Sequence, residues 1–211
     1  MNRFLAIFVL SLILNLCTVL KAQEVPRNYL KGKFYNSVKN HLLIATNKIK
    51  GNKFSKSVVV MLKSDENGAW GLVVNKRLGN VPMGLLINDS WNLSGEVKKL
   101  LDKNISIFWG GPVESEKVFI LHSNDYKNKT TKNYGNIAVS YDYKILFDIA
   151  KKKGPEKSLI IFGYSGWGPG QLEGEMERDR WILSDINKNI IIEKHSSKKW
   201  QKANKEGFVK I

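Results

Sequence analysis

The chain has 211 residues, 43% of them hydrophobic and 10% aromatic, and a formal net charge of +15. This composition excludes a disordered chain and is enough for one domain with a real core. Only five of the 34 basic residues are arginine, the residue that reads guanine edges bidentately, so the charge reads as a solvated lysine coat rather than a base-reading surface.

In chain order, residues 1–22 come first and stand apart. Arg3 supplies a positive start, Phe4 to Leu16 is almost wholly apolar, and Ala22 offers a small residue for cleavage, which is the pattern of a secretory signal peptide. Leu20 is larger than a leader peptidase prefers, so an uncleaved N-terminal anchor is the competing reading. Cys17 is the only cysteine and lies in this segment; the chain beyond it has no disulfide and no thiol chemistry. Leu16, rather than a small residue, precedes it and argues against a lipoprotein site. Residues 23–40 form a polar, basic connector. Without Arg3 and Lys21 the charge is still +13, so weak association with anionic membrane is expected.

His41 to Thr46 (HLLIAT) reads as a first strand and Lys56 to Lys63 (KSVVVMLK) as a buried, β-branched one. Asn67-Gly68 is a hairpin signal, with Gly71 to Asn75 (GLVVN) as the returning strand. Val81 to Asn88 reads as a short helix or turn and Gly95 to Lys103 as a helix. Ile105 to Trp109 and Val118 to His122 are strands around the tight Gly110-Gly111-Pro112 sequence. Asn124 to Asn136 is a polar loop, NIAVS a short strand, and Asp142 to Lys153 a helix stopped by Gly154-Pro155. SLIIF is a strand, followed by a glycine loop from Gly163 to Gly170 and a helix to about Arg178. WIL and NIIIE read as late strands, and Ser196 to Glu206 as a closing helix stopped by Gly207. Early hairpins with helices interspersed later indicate a single α+β domain.

The stretch GYSGWGPGQLEGE, from Gly163 to Glu175, invites two chemical readings. A phosphate cradle needs free backbone N–H groups at a helix start. Here Pro169 removes one, no Lys or Arg stands beside the loop in sequence, and Glu173, Glu175 and Glu177 would repel an anion. A hydrolase elbow, G-x-S-x-G, fails at its last position, where Trp167 replaces glycine. Asp179 or Asp185 and His195 follow Ser165 in the right order, but as common residue types with no distinctive spacing. The structural reading is a rigid corner. Glycines supply unusual backbone angles, Trp167 and Trp181 act as apolar anchors, and Gln171, Glu173 and Glu175 bond nearby amides.

HLLIAT, SVVVMLK, GAWGLVVNK, GGPV, VFILH and GYSGWGPGQLEGEM with Trp181-Ile182-Leu183 together resemble the AlgH (YqgE) family of bacterial proteins, from about His41 to Trp200. The resemblance implies a compact α+β domain (residues 41–211) with a mixed, barrel-like β-sheet and flanking helices, and no established activity; "transcriptional regulator" is a label attached to the family. Its motif positions fall on Gly71, Asn75 and Lys76; Gly110, Gly111 and Pro112; His122; and Gly163, Tyr164, Gly166, Trp167, Gly170, Gln171, Leu172, Glu173, Glu175 and Trp181. The family usually has Ala at Ser165. Its members are mostly cytosolic, whereas the leader here points to the periplasm or an inner-membrane anchor.

His122 ends a strand and reads as a hydrogen-bonded structural histidine, with a general base or metal ligand as the sharper alternative. Asn75-Lys76-Arg77 reads as a solvated strand end or, alternatively, a face for an anionic ligand. Glu173 and Glu175, two apart on a helix, point roughly 200° apart and cannot share one acid/base site. The leading expectation is a non-catalytic protein without metal or cofactor that binds a protein or small-molecule partner through Gly110, Gly111, Pro112, His122, Trp167, Gln171, Glu173 and Glu175. The alternatives are a hydrolase using Ser165 or His122, and a nucleic-acid-associated regulator. The last lacks any helix-turn-helix, zinc or arginine-rich signal.

Overall fold

The computed structural model describes residues 38–51, 53–87, 99, 101–187, 191–192 and 198–206. The expected leader, nearly all of the connector and most of the helix over 95–103 lie outside these residues. Val38 to Asn40, assigned by sequence to the connector, already belong to the domain: Val38 is buried and the Asn40 N–H donates to the Met61 carbonyl.

Strand β1 (His41–Ala45) lies between β2 (Val58–Asp65) and β10 (Trp181–Asp185), antiparallel to both. The Asn67-Gly68 signal does make a hairpin, β2 to β3 (Gly68–Val73), and the Asp65 carboxylate accepts the Asn67 N–H at 2.9 Å. The run Val58 to Leu62 is continuously apolar because both of its faces are buried. Val58, Val60 and Leu62 point into the interior of the curled sheet, while Val59 and Met61 point to a second core outside it. The same split divides Leu42 and Ile44 from Leu43 and Ala45.

The rest of the sheet is organised by β9 (Ser158–Trp167). Its first half lies between β5 (Asn104–Trp109), which is parallel to it, and β6 (Val113–Ser123), which is antiparallel. Its second half pairs with β3, through Ala69↔Trp167 and Gly71↔Ser165. Beyond β6 come β8 (Ile137–Ser140) and β7 (Lys132–Tyr134), and β4 (Arg77–Pro82) borders β5. The result is a mixed sheet of ten strands curled into a half-barrel, in a single α+β domain, as expected from the resemblance.

The expected glycine loop is therefore corrected. Gly163 to Trp167 are not a loop but the continuation of a ten-residue strand, and only Gly168 to Gly170 turn. The strand changes neighbours, from β5 to β3, at Gly163, whose φ is 68°. There the backbone of β9 crosses Gly110 and Gly111 with no room for a side chain. A Cβ on Gly110 would overlap the Gly163 carbonyl, and one on Gly111 the Tyr164 carbonyl. The Gly110 N–H donates to the Phe162 carbonyl at 2.7 Å, and its own carbonyl accepts the Val73 N–H at 3.0 Å. The two glycine motifs, fifty residues apart, are the two halves of one backbone crossing.

Three helices are found among the described residues. Helix α1 (Lys144–Ala150) covers the outer face of β6 and β9 with Ile145 and Leu146, packed on Val118, Ile120 and Ile160. Helix α2 (Gln171–Glu177) buries Leu172 and Met176, one turn apart, against Leu43, Met61 and Val73. Helix α3 (Lys199–Glu206) places Ala203 in the interior core, and its Trp200 Nε1 donates to the Ala45 carbonyl at 2.8 Å. Lys199 is fully buried, its ammonium donating to the carbonyls of Val74 and Ile191.

Three further expectations change. Within NIIIE the described residues, Ile191 and Ile192, have helical rather than strand backbone and are buried in the interior core, and a short apolar run cannot by itself separate the two states. The polar loop 124–136 contains β7, too short and too polar to read. Arg77 to Pro82 is a strand, hidden by Gly79, Pro82 and its exposed edge position beside β5, followed by a 3-10 turn over Met83–Leu86.

Candidate functional site

Helix α2 begins one residue after the β9 turn and ends shortly before β10, so it carries the short stretch between Trp167 and Trp181. The Gly168 N–H donates to Gln171 Oε1 at 3.1 Å and holds the turn. One turn further on, Glu175 Oε2 accepts both indole N–H groups, Trp181 Nε1 at 2.7 Å and Trp167 Nε1 at 3.3 Å. The expectation that Glu175 would cap backbone amides is corrected: it ties two tryptophans together. Their rings stand edge to face, 6.0 Å apart at 83°. Phe54, from the turn before β2, meets Trp181 at 6.1 Å and Trp109 at 5.2 Å. Four aromatic rings from four chain segments thus form an angular wall, a favoured arrangement for ring quadrupoles.

A cleft of about 300 Å³ opens on this wall. Lys48, Lys50 and Arg180 line it together with Phe54, Pro112, Trp167, Gln171 and Trp181. The cations arrive by tertiary structure: Thr46 N–H donates to the Arg180 carbonyl at 2.9 Å and Thr46 Oγ1 to the Asp179 carbonyl at 2.6 Å, docking residues 46–50 onto 179–180. Lys48 is consumed by Asp179 at 2.6 Å. The Lys50 ammonium and the Arg180 guanidinium meet no protein partner among the described residues. Hence the absence of Lys and Arg beside the loop in sequence does not hold in space. A second, more open cleft, also of about 300 Å³, lies on the other side of Gly166, against Trp70, Val113 and Tyr164.

The eight residues expected to form one surface do not all meet. Pro112, Trp167, Gln171 and Glu175 line the first cleft. Gly110 and Gly111 are buried in the backbone crossing behind it, and Glu173 stands on α2 outside its lining. His122 is separated from it: it pairs with Ser158 at the opposite end of β9, nine residues from Trp167, or roughly 30 Å along an extended strand.

His122 is wholly buried. Its Nδ1 lies 2.8 Å from the Ser123 carbonyl and its Nε2 2.9 Å from Ser140 Oγ, so Nδ1 carries the proton and Nε2 accepts from the serine. Burial pushes its pKa below the usual value. Tyr126 packs edge-on against the ring, and its own hydroxyl, bonded to Asp148 at 2.6 Å, is pushed up to about 12, chiefly by burial. A serine–imidazole pair is present, but with Ser140 rather than Ser165, and both members are closed to solvent.

Ser165 is 1% exposed and its hydroxyl donates to the Gly110 carbonyl at 2.9 Å, bracing the crossing. Asn75 and Lys76 are likewise not a solvated strand end. Asn75 Oδ1 accepts the Val58 N–H, its Nδ2 donates to the Lys56 carbonyl, and Lys76 Nζ donates to the Ser55 carbonyl at 2.6 Å. They staple the end of β3 to the entry of β2, and burial together with nearby Lys56 lowers the Lys76 pKa. The parts of the site that the sequence did not reveal, Lys50, Phe54, Trp109 and Arg180, carry no local signal. Among the described residues no group of three His, Cys, Asp or Glu side chains is placed to hold a metal, and no helix is long and apolar enough to cross a membrane.

The model of the AlgH-like family, DUF179, matches residues 42–210. A UPF0301 protein of Rickettsia massiliae is 36% identical over 173 residues, covering 81% of this chain and 89% of that one. Another from Methylococcus capsulatus is 33% identical over 162 residues, covering 76% and 86%. The solution structure of the AlgH protein from Pseudomonas aeruginosa superposes with a TM-score of 0.66 at 31% identity, covering 80% of this chain and 88% of that one. The crystal structure of protein DIP2367 from Corynebacterium diphtheriae shares the fold, with a TM-score of 0.62 at 14% identity and coverage of 86% and 96%. These names assign no activity. The match of the family model over residues 42–210, with relatives 36% and 33% identical across most of the chain, shows that the chain belongs to the AlgH-like family.

Proposed function

We propose that this protein acts by binding rather than by catalysis, and that the cleft beside Trp167 is where it binds. One observation carries the reading. The cleft wall is held rigid by a carboxylate that satisfies two indole N–H groups, while Lys50, Arg180 and the Gln171 amide nitrogen face the cleft without protein partners among the described residues. A preformed pocket with a few uncommitted polar groups is how small-molecule sites are built. The two residues expected to serve a hydrolase are otherwise engaged: the Ser165 hydroxyl braces a carbonyl and His122 is sealed in the core. The leader-like pattern of residues 1–22 supports a role in the periplasm or at the inner membrane, with a cytoplasmic role as the alternative.

The test is a ligand screen read on the indole N–H resonances of Trp167 and Trp181. The expected result is a ligand that moves both, and that is weakened in Gln171→Ala at unchanged thermal stability. A ligand or partner whose binding leaves those signals and the Gln171→Ala variant unaffected would overturn the cleft. Fluorophosphonate labelling that disappears in Ser165→Ala or Ser140→Ala would overturn the non-catalytic reading.

A further inference from the structure

Resting on that binding cleft, we infer that its ligand is a small planar aromatic anion, a ring joined to a phosphate or carboxylate. The wall supplies the ring's partner. Trp167 and Trp181 stand perpendicular, and Phe54 is perpendicular to Trp181, so a flat ring stacked on one face meets the edge of another. Phe54 is half-buried, whereas Trp167 and Trp181 are 7% and 5% exposed, which makes Phe54 the platform and the indoles the corner behind it.

The rim supplies the charge. Lys48 and Asp179 cancel, leaving Lys50 and Arg180 as cations without a protein counter-ion among the described residues. Arginine in particular grips phosphate or carboxylate with two parallel N–H donors. The Gln171 amide, its oxygen fixed by Gly168, adds further donors. The opposite chemistry, an aromatic cage for a quaternary ammonium, would set a second cation beside Lys50 and Arg180, whose charges repel it. Among the described residues Glu175 is the only acid lining the cleft; its Oε2 is shared by two indole N–H groups, and its single charge is outnumbered by Lys50 and Arg180. A volume of about 300 Å³ lies at the small end for ligand pockets, which fits one ring system with one anionic group.

Calorimetric titration of the full chain with AMP, adenosine, indole-3-acetate, indole, inorganic phosphate and tetramethylammonium tests this, with the indole N–H resonances locating each site. The expected result is that AMP or indole-3-acetate binds at the cleft at least about 10-fold more tightly than its neutral counterpart, and that Lys50→Gln and Arg180→Gln each weaken it by about 10-fold, the worth of one hydrogen bond to a charged group. The AMP and indole-3-acetate arms separate a phosphate ester from a carboxylate. Both substitutions are at exposed positions, and thermal melts check that the fold is intact. Equal binding of the neutral compounds, preference for tetramethylammonium, indifference to both substitutions, or no binding by any probe would overturn the ligand class. The cleft itself falls only if the wider screen also finds nothing that depends on Gln171.

Discussion

The hydrogen bonds of Glu175 permit a sharp stability experiment. In Glu175→Ala the Trp181 indole N–H, on a side chain only 5% exposed, loses an acceptor at 2.7 Å, and the Trp167 N–H loses one at 3.3 Å. A hydrogen bond to a charged group contributes about 1.5–3 kcal/mol, and a buried donor left unpaired costs about 1–3 kcal/mol. The longer Trp167 contact contributes less, and Glu175 is itself half-exposed, so water replaces part of the loss. The expected cost is about 2–3 kcal/mol, or a fall in Tm of roughly 4–10 °C for a domain of this size. Glu175→Gln keeps an oxygen in place and should cost about 1 kcal/mol or less. Trp181→Phe removes the donor instead, so the double variant should recover about 1 kcal/mol relative to the sum of the single ones. Urea unfolding followed by far-UV circular dichroism measures the parent protein, the three single variants and the double variant Glu175→Ala with Trp181→Phe. If Glu175→Ala costs under about 0.5 kcal/mol and the cycle shows no coupling, the shared carboxylate does not organise the cleft.

Burial holds the His122 pKa below the ordinary histidine value of about 6.5, so the unfolded chain binds that proton more readily than the folded one. His122 thus contributes stability that is complete above pH 6.5 and is lost as the pH falls from there towards its folded pKa. Urea midpoints between pH 8 and 5 should drop less steeply in His122→Gln, and an identical slope would refute this assignment. Gly110→Ala should cost more than about 3 kcal/mol or abolish soluble expression, because its methyl overlaps the Gly163 carbonyl and presses on Ile161 inside a close-packed crossing. A folded Gly110→Ala with an unchanged melting temperature would refute that. Ser165→Ala loses a single hydroxyl-to-carbonyl bond, and the Gly110 carbonyl keeps the Val73 N–H, so the change should stay within about 1 kcal/mol. A Tm loss above roughly 5 °C in a thermal melt would show that the hydroxyl matters more than its geometry indicates.

Local pattern alone determined the β2–β3 hairpin at Asn67-Gly68, most of the strands and the role of tryptophan anchors, because each rests on periodicity or turn chemistry within a few residues, while the family followed from the resemblance of motifs spread from His41 to Trp200. Local pattern also spoke against an anion at Gly163 to Gly170 for lack of a neighbouring Lys or Arg, which fails in space, where Lys50 and Arg180 reach the same cleft. It misread that stretch as a loop because glycines usually break a strand. Here they are required where two backbones cross, a constraint imposed by Gly110 and Gly111 from fifty residues away. Only the folded chain decided that Pro112, Trp167, Gln171 and Glu175 share a cleft while His122 lies at the far end of the same strand. Only it brought Lys50, Phe54 and Arg180 to the cleft, since residues 46–50 dock on 179–180 through the Thr46 N–H and hydroxyl, contacts across 133 or more residues that leave no local signal. Charge and ring placement at the cleft are therefore properties of strand order, to which residue spacing is blind.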